Sequence, residues 1–191
     1  MKLLLLACLV AVCSAAPSVP EVAETFCADG EIEFHTSERT LTGKFVICHD
    51  FGKQLEMEGA EYSETKDIFR TLLIYNSTTS HMAYYVRGKF GGERCVPESR
   101  NVTSRLPPFF DWVKLATYEG QKKIKEINYD FWGLTVANVR FELAVAPDNP
   151  NVPVYYNRKE AENFVKYTIA SFNAATPDPS AFELPKACQD S

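Results

Sequence analysis

Histidine is scarce: His35, His49 and His81 are the only three in 191 residues. That is little material for a histidine-based triad or a zinc centre, and no His-Glu-x-x-His, Gly-x-Ser-x-Gly or glycine-rich phosphate loop occurs. The run Cys48-His49-Asp50 sets nucleophile, base and acid types side by side, but strand alternation turns His49 away from both neighbours. No enzymatic activity and no cofactor are expected. Basic charge is also short, with 20 Lys and Arg against 25 Asp and Glu and a formal charge of −5. Such a surface repels phosphate backbones and anionic head groups, so no nucleic-acid partner is expected, and Lys122, Lys123 and Lys125 read as a solvated strand face. A calcium loop is missing too. Asp148-Asn149-Pro150-Asn151 offers oxygens, but Pro153 stands where an EF-hand loop needs glycine and Lys159 where it needs glutamate, which predicts a Pro-stabilised turn and no metal site.

Long apolar runs are absent except at the N-terminus. Lys2, the run Leu3–Val12 and the small residues Cys13–Ala16 read as a secretory signal peptide cut after Ala15, too short to span a bilayer, which takes about 20 residues. The expected organisation is a leader over 1–15 and a single domain over 16–191, secreted and extracellular, with no integral membrane segment. Without the leader, 176 residues, four cysteines and a charge of −6 remain. Asn76 in Asn-Ser-Thr and Asn101 in Asn-Val-Thr are glycosylation acceptors in that compartment.

What the sequence has in quantity is two-residue alternation. Ile32 and Phe34 alternate with Glu31, Glu33 and His35, and Leu41, Phe45 and Ile47 do likewise further on. A hairpin centred between Ser37 and Glu38 sets Phe34 opposite Leu41, gathers all five apolar residues on one face, and brings Cys27 opposite Cys48 as a cross-strand disulfide. Cys95 and Cys188 are then left as the second pair, one of three connectivities that four cysteines allow. Further strands are predicted over 53–62, 68–75, 81–90, 123–132 and 134–146, a last strand over 161–172, and one short helix over 107–118 behind Pro107 and Pro108. The fold class is mainly β, an antiparallel sheet with one or two short helices.

Thirteen Phe, nine Tyr and two Trp exceed what one wet-faced sheet needs. An ordinary packed core accounts for them, and so does a curved sheet whose concave face holds an apolar ligand. Lipocalins build such a site, but Asp130 and Phe110 stand where their Gly-x-Trp signature requires glycine. Alternation nominates Met57, Met82, Tyr84, Val86, Tyr129, Phe141 and Leu143 as ligand-lining residues. Glu56 and Glu58, out of phase with Met57, read as a solvated outer face.

Several motifs in order resemble the ependymin-related, LVN1.2-like secreted proteins of animals: Val46–Leu55 (VICHDFGKQL), the LLIYN and YYVRG stretches ending at Cys95, and Pro177–Cys188 (PDPSAFELPKAC). The resemblance covers most of the chain beyond the leader. It implies a strongly curved antiparallel sheet forming a half-open barrel similar to bacterial lipoprotein carriers, with an apolar pocket, and a bond from Cys95 to Cys188 that fastens the C-terminus to the central sheet. It further implies binding of a lipid or fatty acid outside the cell, and admits a homodimer and calcium-related roles. The alternative expectation is an adhesion, matrix or signalling module, calcium-associated, acting through its surface and glycans with no small-molecule ligand.

Overall fold

The structure is a computed structural model that describes residues 16–75, 80–88, 92–100 and 105–183, with the side chains of 75 and 80–100 outside the description. The expected leader (residues 1–15), Asn76, Asn101 and Cys188 lie outside the described residues, as does the side chain of Cys95. Eleven strands form one antiparallel sheet: β1 (Thr25–His35), β2 (Thr40–Asp50), β3 (Leu55–Tyr62), β4 (Ile68–Tyr75), β5 (Ser80–Gly88), β6 (Gly92–Arg100), β7 (Thr117–Ile124), β8 (Ile127–Val136), β9 (Val139–Ala146), β10 (Asn149–Glu160) and β11 (Asn163–Asn173). Their spatial order is β6-β5-β4-β3-β2-β1-β11-β10-β9-β8-β7. Two hairpin meanders thus meet where the first strand pairs with the last, and β6 and β7 form open edges. The mainly β, half-open architecture expected from the sequence is the one observed.

The first hairpin has the expected register, with Phe34 opposite Leu41 and Cys27 opposite Cys48, and the latter two are joined as a disulfide with Cα atoms 4.1 Å apart. Its turn succeeds without the usual Asn-Gly because Thr36 serves as a local cap: the Thr36 amide donates to the Arg39 carbonyl (2.9 Å), and the amides of Glu38 and Arg39 donate back to Thr36 Oγ1 (3.3 Å).

Two expected strands are each broken by a tight turn. Lys125 and Glu126 (φ 47° and 70°) separate β7 from β8, and Ala137 and Asn138 (φ 47° and 71°) separate β8 from β9. Both are two-residue turns with positive φ at each central position, the twist that matches right-handed strands, built from residue pairs that carry little turn signal. β10 was not expected; it follows a turn at Pro147–Asp148, just ahead of the anticipated one. The stretch 161–172 is a strand, as expected, and the predicted helix is a single 3-10 turn, Asp111–Leu115.

The sheet is strongly curved. Glu58 on β3 and Tyr167 on β11 are separated by β2 and β1, about 14 Å in a flat sheet at about 4.8 Å per strand, yet Tyr167 Oη donates to Glu58 Oε1 at 2.5 Å. The bend is permitted where inward positions lack side chains: a Cβ on Gly43 would collide with the Glu61 carbonyl oxygen, and one on Gly30 with that of Thr168. Gly30 also marks a bulge in the β1–β11 ladder.

Both faces are covered in part. On the concave side, Phe26, Ile32, Leu41, Phe45, Ile47, Leu143, Val145, Tyr156 and Tyr167 form the main core. The connector between the two edge strands crosses this side and inserts Phe109, Phe110, Trp112 and Val113, with Phe110 stacking 5.5 Å from Phe26 and Trp112 5.5 Å from Phe141. On the convex side, the disulfide, Met57, Leu72 and Phe182 form a second cluster. Phe182 belongs to a 3-10 turn, Pro179–Phe182, capped by Asp178 and tied down by Arg70 Nη2, which donates to the Ala181 carbonyl (2.7 Å).

Replacing Cys27 and Cys48 together by alanine should leave the sheet intact but lower stability by at most about 3 kcal/mol, the chain-entropy value for a short loop. In a thermal melt followed by circular dichroism this is a drop of roughly 6 to 12 °C; an unchanged melt would show that the pairing of β1 and β2 does not rely on the bond.

Candidate functional site

Pairing carries the face assignment outward from the first hairpin. Cys48 lies opposite Met57 and both face the convex cluster, so His49 and Ile47 face the concave side together with their partners Glu56 and Glu58. Glu56 and Glu58 therefore line the interior of the half-barrel, which corrects their reading as a solvated outer face. Burial of Met57 beneath Phe182 is the reason: the convex surface of β3 and β4 is covered by the C-terminal segment, so apolar residues on a strand did not identify the concave side.

The seven nominated residues consequently do not share one surface. Met57 is buried on the convex side. Tyr129 is out of phase with the concave Trp132 and lies half-buried on the face of Phe131. Leu143 is on the concave side but fully buried, and Phe141 is half-buried against Trp112. Met82, Tyr84 and Val86 occupy register positions opposite Leu73, Thr71 and Phe69, and their side chains are outside the description.

The concave face divides into a closed half and an open half. Over β8 to β11 it is filled by the connector's aromatics. Over β3 and β4, Phe69 keeps 39% of its surface exposed, and Thr71 and Leu73 are half-buried. Where the halves meet, five polar side chains converge: His49, Glu56, Glu58, Tyr156 and Tyr167.

His49 has no exposed surface. Its Nδ1–H donates to the Glu24 carbonyl (2.6 Å), which can only accept, so in the neutral ring Nε2 presents a lone pair. That lone pair has no hydrogen-bond partner among the described residues and lies 3.7 Å from Glu56 Oε2. Burial holds the His49 pKa below its ordinary value, against the upward pull of the Glu24 and Pro107 carbonyls and of Asp50. Burial also pushes Glu56 up to about 7, with the Glu58 charge as the second cause. The two ring and carboxyl preferences fit together: a protonated Glu56 can donate to a neutral His49.

Glu58 is ringed by phenols. Burial raises the pKa of Tyr62, and the nearby Glu58 raises it further; the same two causes, in the same order, hold Tyr167 well above the ordinary range. Tyr156 is likewise raised by burial, slightly opposed by Arg158, and stacks on Tyr167 with ring centroids 5.6 Å apart. These hydroxyls stay neutral, and that of Tyr167 donates to Glu58. Among the described residues no three His, Cys, Asp or Glu side chains are placed to hold a metal ion, and no helix is long and apolar enough to cross a membrane.

A separate groove of about 520 Å³ opens between the N-terminal segment Val19–Glu24 and Pro108, Phe110, Asp111 and Lys114 of the connector. Lys114 Nζ lies 2.6 Å from Asp111 Oδ1, and Glu21 and Glu24 complete the groove's charged lining.

The elevated Glu56 has a measurable consequence for stability. Below about pH 4.5 the folded and unfolded chains both hold this proton; between about 4.5 and 7 the unfolded chain gives it up first, so stability is lost as pH rises, by at most about 3 kcal/mol. Glu56→Gln should therefore match the parent protein near pH 4.5 and exceed its stability at pH 8, as read from urea denaturation at both values. Equal stability at pH 8 would mean that Glu56 ionises freely in the folded state.

No protein-family model matches the chain, and no curated protein matches it in sequence. Among solved structures, one similar in shape is an uncharacterized conserved protein from Thermus thermophilus, at 11% identity and a TM-score of 0.49, with 85% of this chain and 87% of that chain covered.

Proposed function

We propose that this chain is a secreted glycoprotein that holds a lipid or other hydrophobic molecule against the open half of its concave face. The observation that carries the reading is the incomplete cover of that face. Phe69 on β4 is 39% exposed inside the curve of the sheet, whereas the same face over β8 to β11 is packed by Phe109, Phe110 and Trp112. An apolar wall with a few polar groups at one end is the usual composition of a small-molecule site. The resemblance to ependymin-related proteins, the leader and the two glycosylation acceptors agree with an extracellular carrier. The adhesion alternative predicts instead that this wall has no small-molecule occupant.

Binding of the uncharged fluorophore phenylnaphthylamine tests the reading. The secreted protein should bind it with saturable fluorescence, and Phe69→Lys should weaken binding by about tenfold or more, the effect of about 1.4 kcal/mol of lost apolar contact. Melting should change little, because Phe69 is a rim residue. Ile127→Lys on the convex side is the control and should leave binding intact, since Ile127 is 57% exposed on β8 and out of phase with the concave Trp132. Absence of saturable binding, or equal loss in both variants, would turn the assignment toward a surface-acting module.

A further inference from the structure

Acceptors outnumber donors at the junction of the concave face. Among the described residues no group donates to Glu56, Glu58 receives the Tyr167 hydroxyl on Oε1, and His49 Nε2 is a buried acceptor without a donor, aimed at Glu56 across 3.7 Å. Glu56 and Glu58 are two residues apart on one strand face, about 7 Å along the strand. Such a site is short of hydrogens and positive charge. Burial favours the protonated form of Glu56, whose Oε2 lies 3.7 Å from His49 Nε2.

Groups from every side bear on this balance. β2 contributes His49, with Asp50 next to it, and β4 contributes only Leu73 as the register partner of Glu56. Across the concavity β11 contributes Tyr167 and β10 contributes Tyr156 and Arg158. The Arg158 guanidinium acts on Tyr156, lies 3.8 Å from Glu160 Oε2, and is not among the influences on Glu56. The connector adds the Pro107 carbonyl, another acceptor. The residues do not form a metal-ligand cluster, so a monatomic cation is poorly served, whereas an ammonium brings three directed N–H donors.

We propose that the ligand of the concave face is an amphiphile with a primary ammonium head group, seated between Glu56 and Glu58, with its hydrocarbon chain lying along Leu73, Thr71 and Phe69. The proposal rests on the reading of this face as a hydrophobic-ligand site and narrows its ligand class to cationic amphiphiles. Arrival of the ammonium displaces the proton from Glu56 to solvent, so one cation replaces another and the net charge of the junction is unchanged. An anionic head group in the same place meets two carboxylates and is repelled.

Three molecules with the same twelve-carbon tail separate the claims: dodecylamine, dodecanol and dodecanoate, each titrated by displacement of phenylnaphthylamine below its aggregation concentration. At pH 7.5 dodecylamine should bind at least about tenfold tighter than dodecanol, and dodecanoate weakest. Dodecylamine affinity should rise about tenfold per pH unit below 7 and level off above it, because cation and proton compete for Glu56, while dodecanol should show no such trend. In the Glu56→Gln/Glu58→Gln variant the preference for the amine should vanish with dodecanol binding retained; if that pair does not fold, Glu56→Gln alone should halve the preference or more and remove the pH trend. Dodecanoate binding as tightly as dodecylamine would overturn the head-group assignment and leave the apolar site standing. Failure of all three tails to bind would overturn the site itself.

Discussion

Cys27 and Cys48 can be bonded only if β1 and β2 pair at one register, and that register decides the direction of every side chain in the middle of the sheet. A slip by one residue would send Ile32, Phe34, Phe45 and Ile47 to the convex side and strip the concave side of its core. The same register, passed on through β2 and β3, turns His49, Glu56 and Glu58 inward and Met57 outward. Curvature then brings distant strands together. With Gly30 and Gly43 contributing no side chain to the inside of the bend, Tyr167 reaches Glu58 over two intervening strands. Register and curvature together place ionisable groups in an aromatic interior that no short stretch of sequence would assemble.

The hairpin of β1 and β2 was legible in the sequence because two independent patterns, apolar alternation and cysteine placement, agree on one register. The final strand was legible too, from its β-branched and aromatic content. The turns at Lys125–Glu126 and Ala137–Asn138 were not, since neither pair is the Asn-Gly or Asp-Gly type that marks a two-residue hairpin turn. As a result β7 and β8 read as one strand, and β8 and β9 as another. The helix shrank to a 3-10 turn because its aromatics serve as a plug across the sheet and need no further helical turns to reach their places.

The site was half legible. Alternation correctly separated Glu56 and Glu58 from Met57, yet the choice of face relied on apolar residues pointing inward, and Met57 is buried on the convex side beneath Phe182. The cysteines held the missing signal: they are out of phase with Ile32 and Phe34, so Cys48 belongs to the outer face, and a tight turn at 51–54 then forces Met57 to the outer face and Glu56 to the inner. Tyr156 and Tyr167 were beyond reach, because β10 gave no separate signal and its pairing with β11 is visible only in the fold.

Two half-buried carboxyls and a buried imidazole raise the free energy of the folded chain unless something compensates them. A proton on Glu56 does so in part, and the proposed occupant of the open concave face would do so further, which is a physical reason for such groups to persist in an otherwise aromatic interior. Native mass spectrometry of the protein, isolated without detergent and without added ligand, addresses this most directly. A population carrying one small molecule that solvent extraction recovers as an amphiphile is the expected result, and a protein that flies only at its own mass, with nothing extractable, would contradict the account.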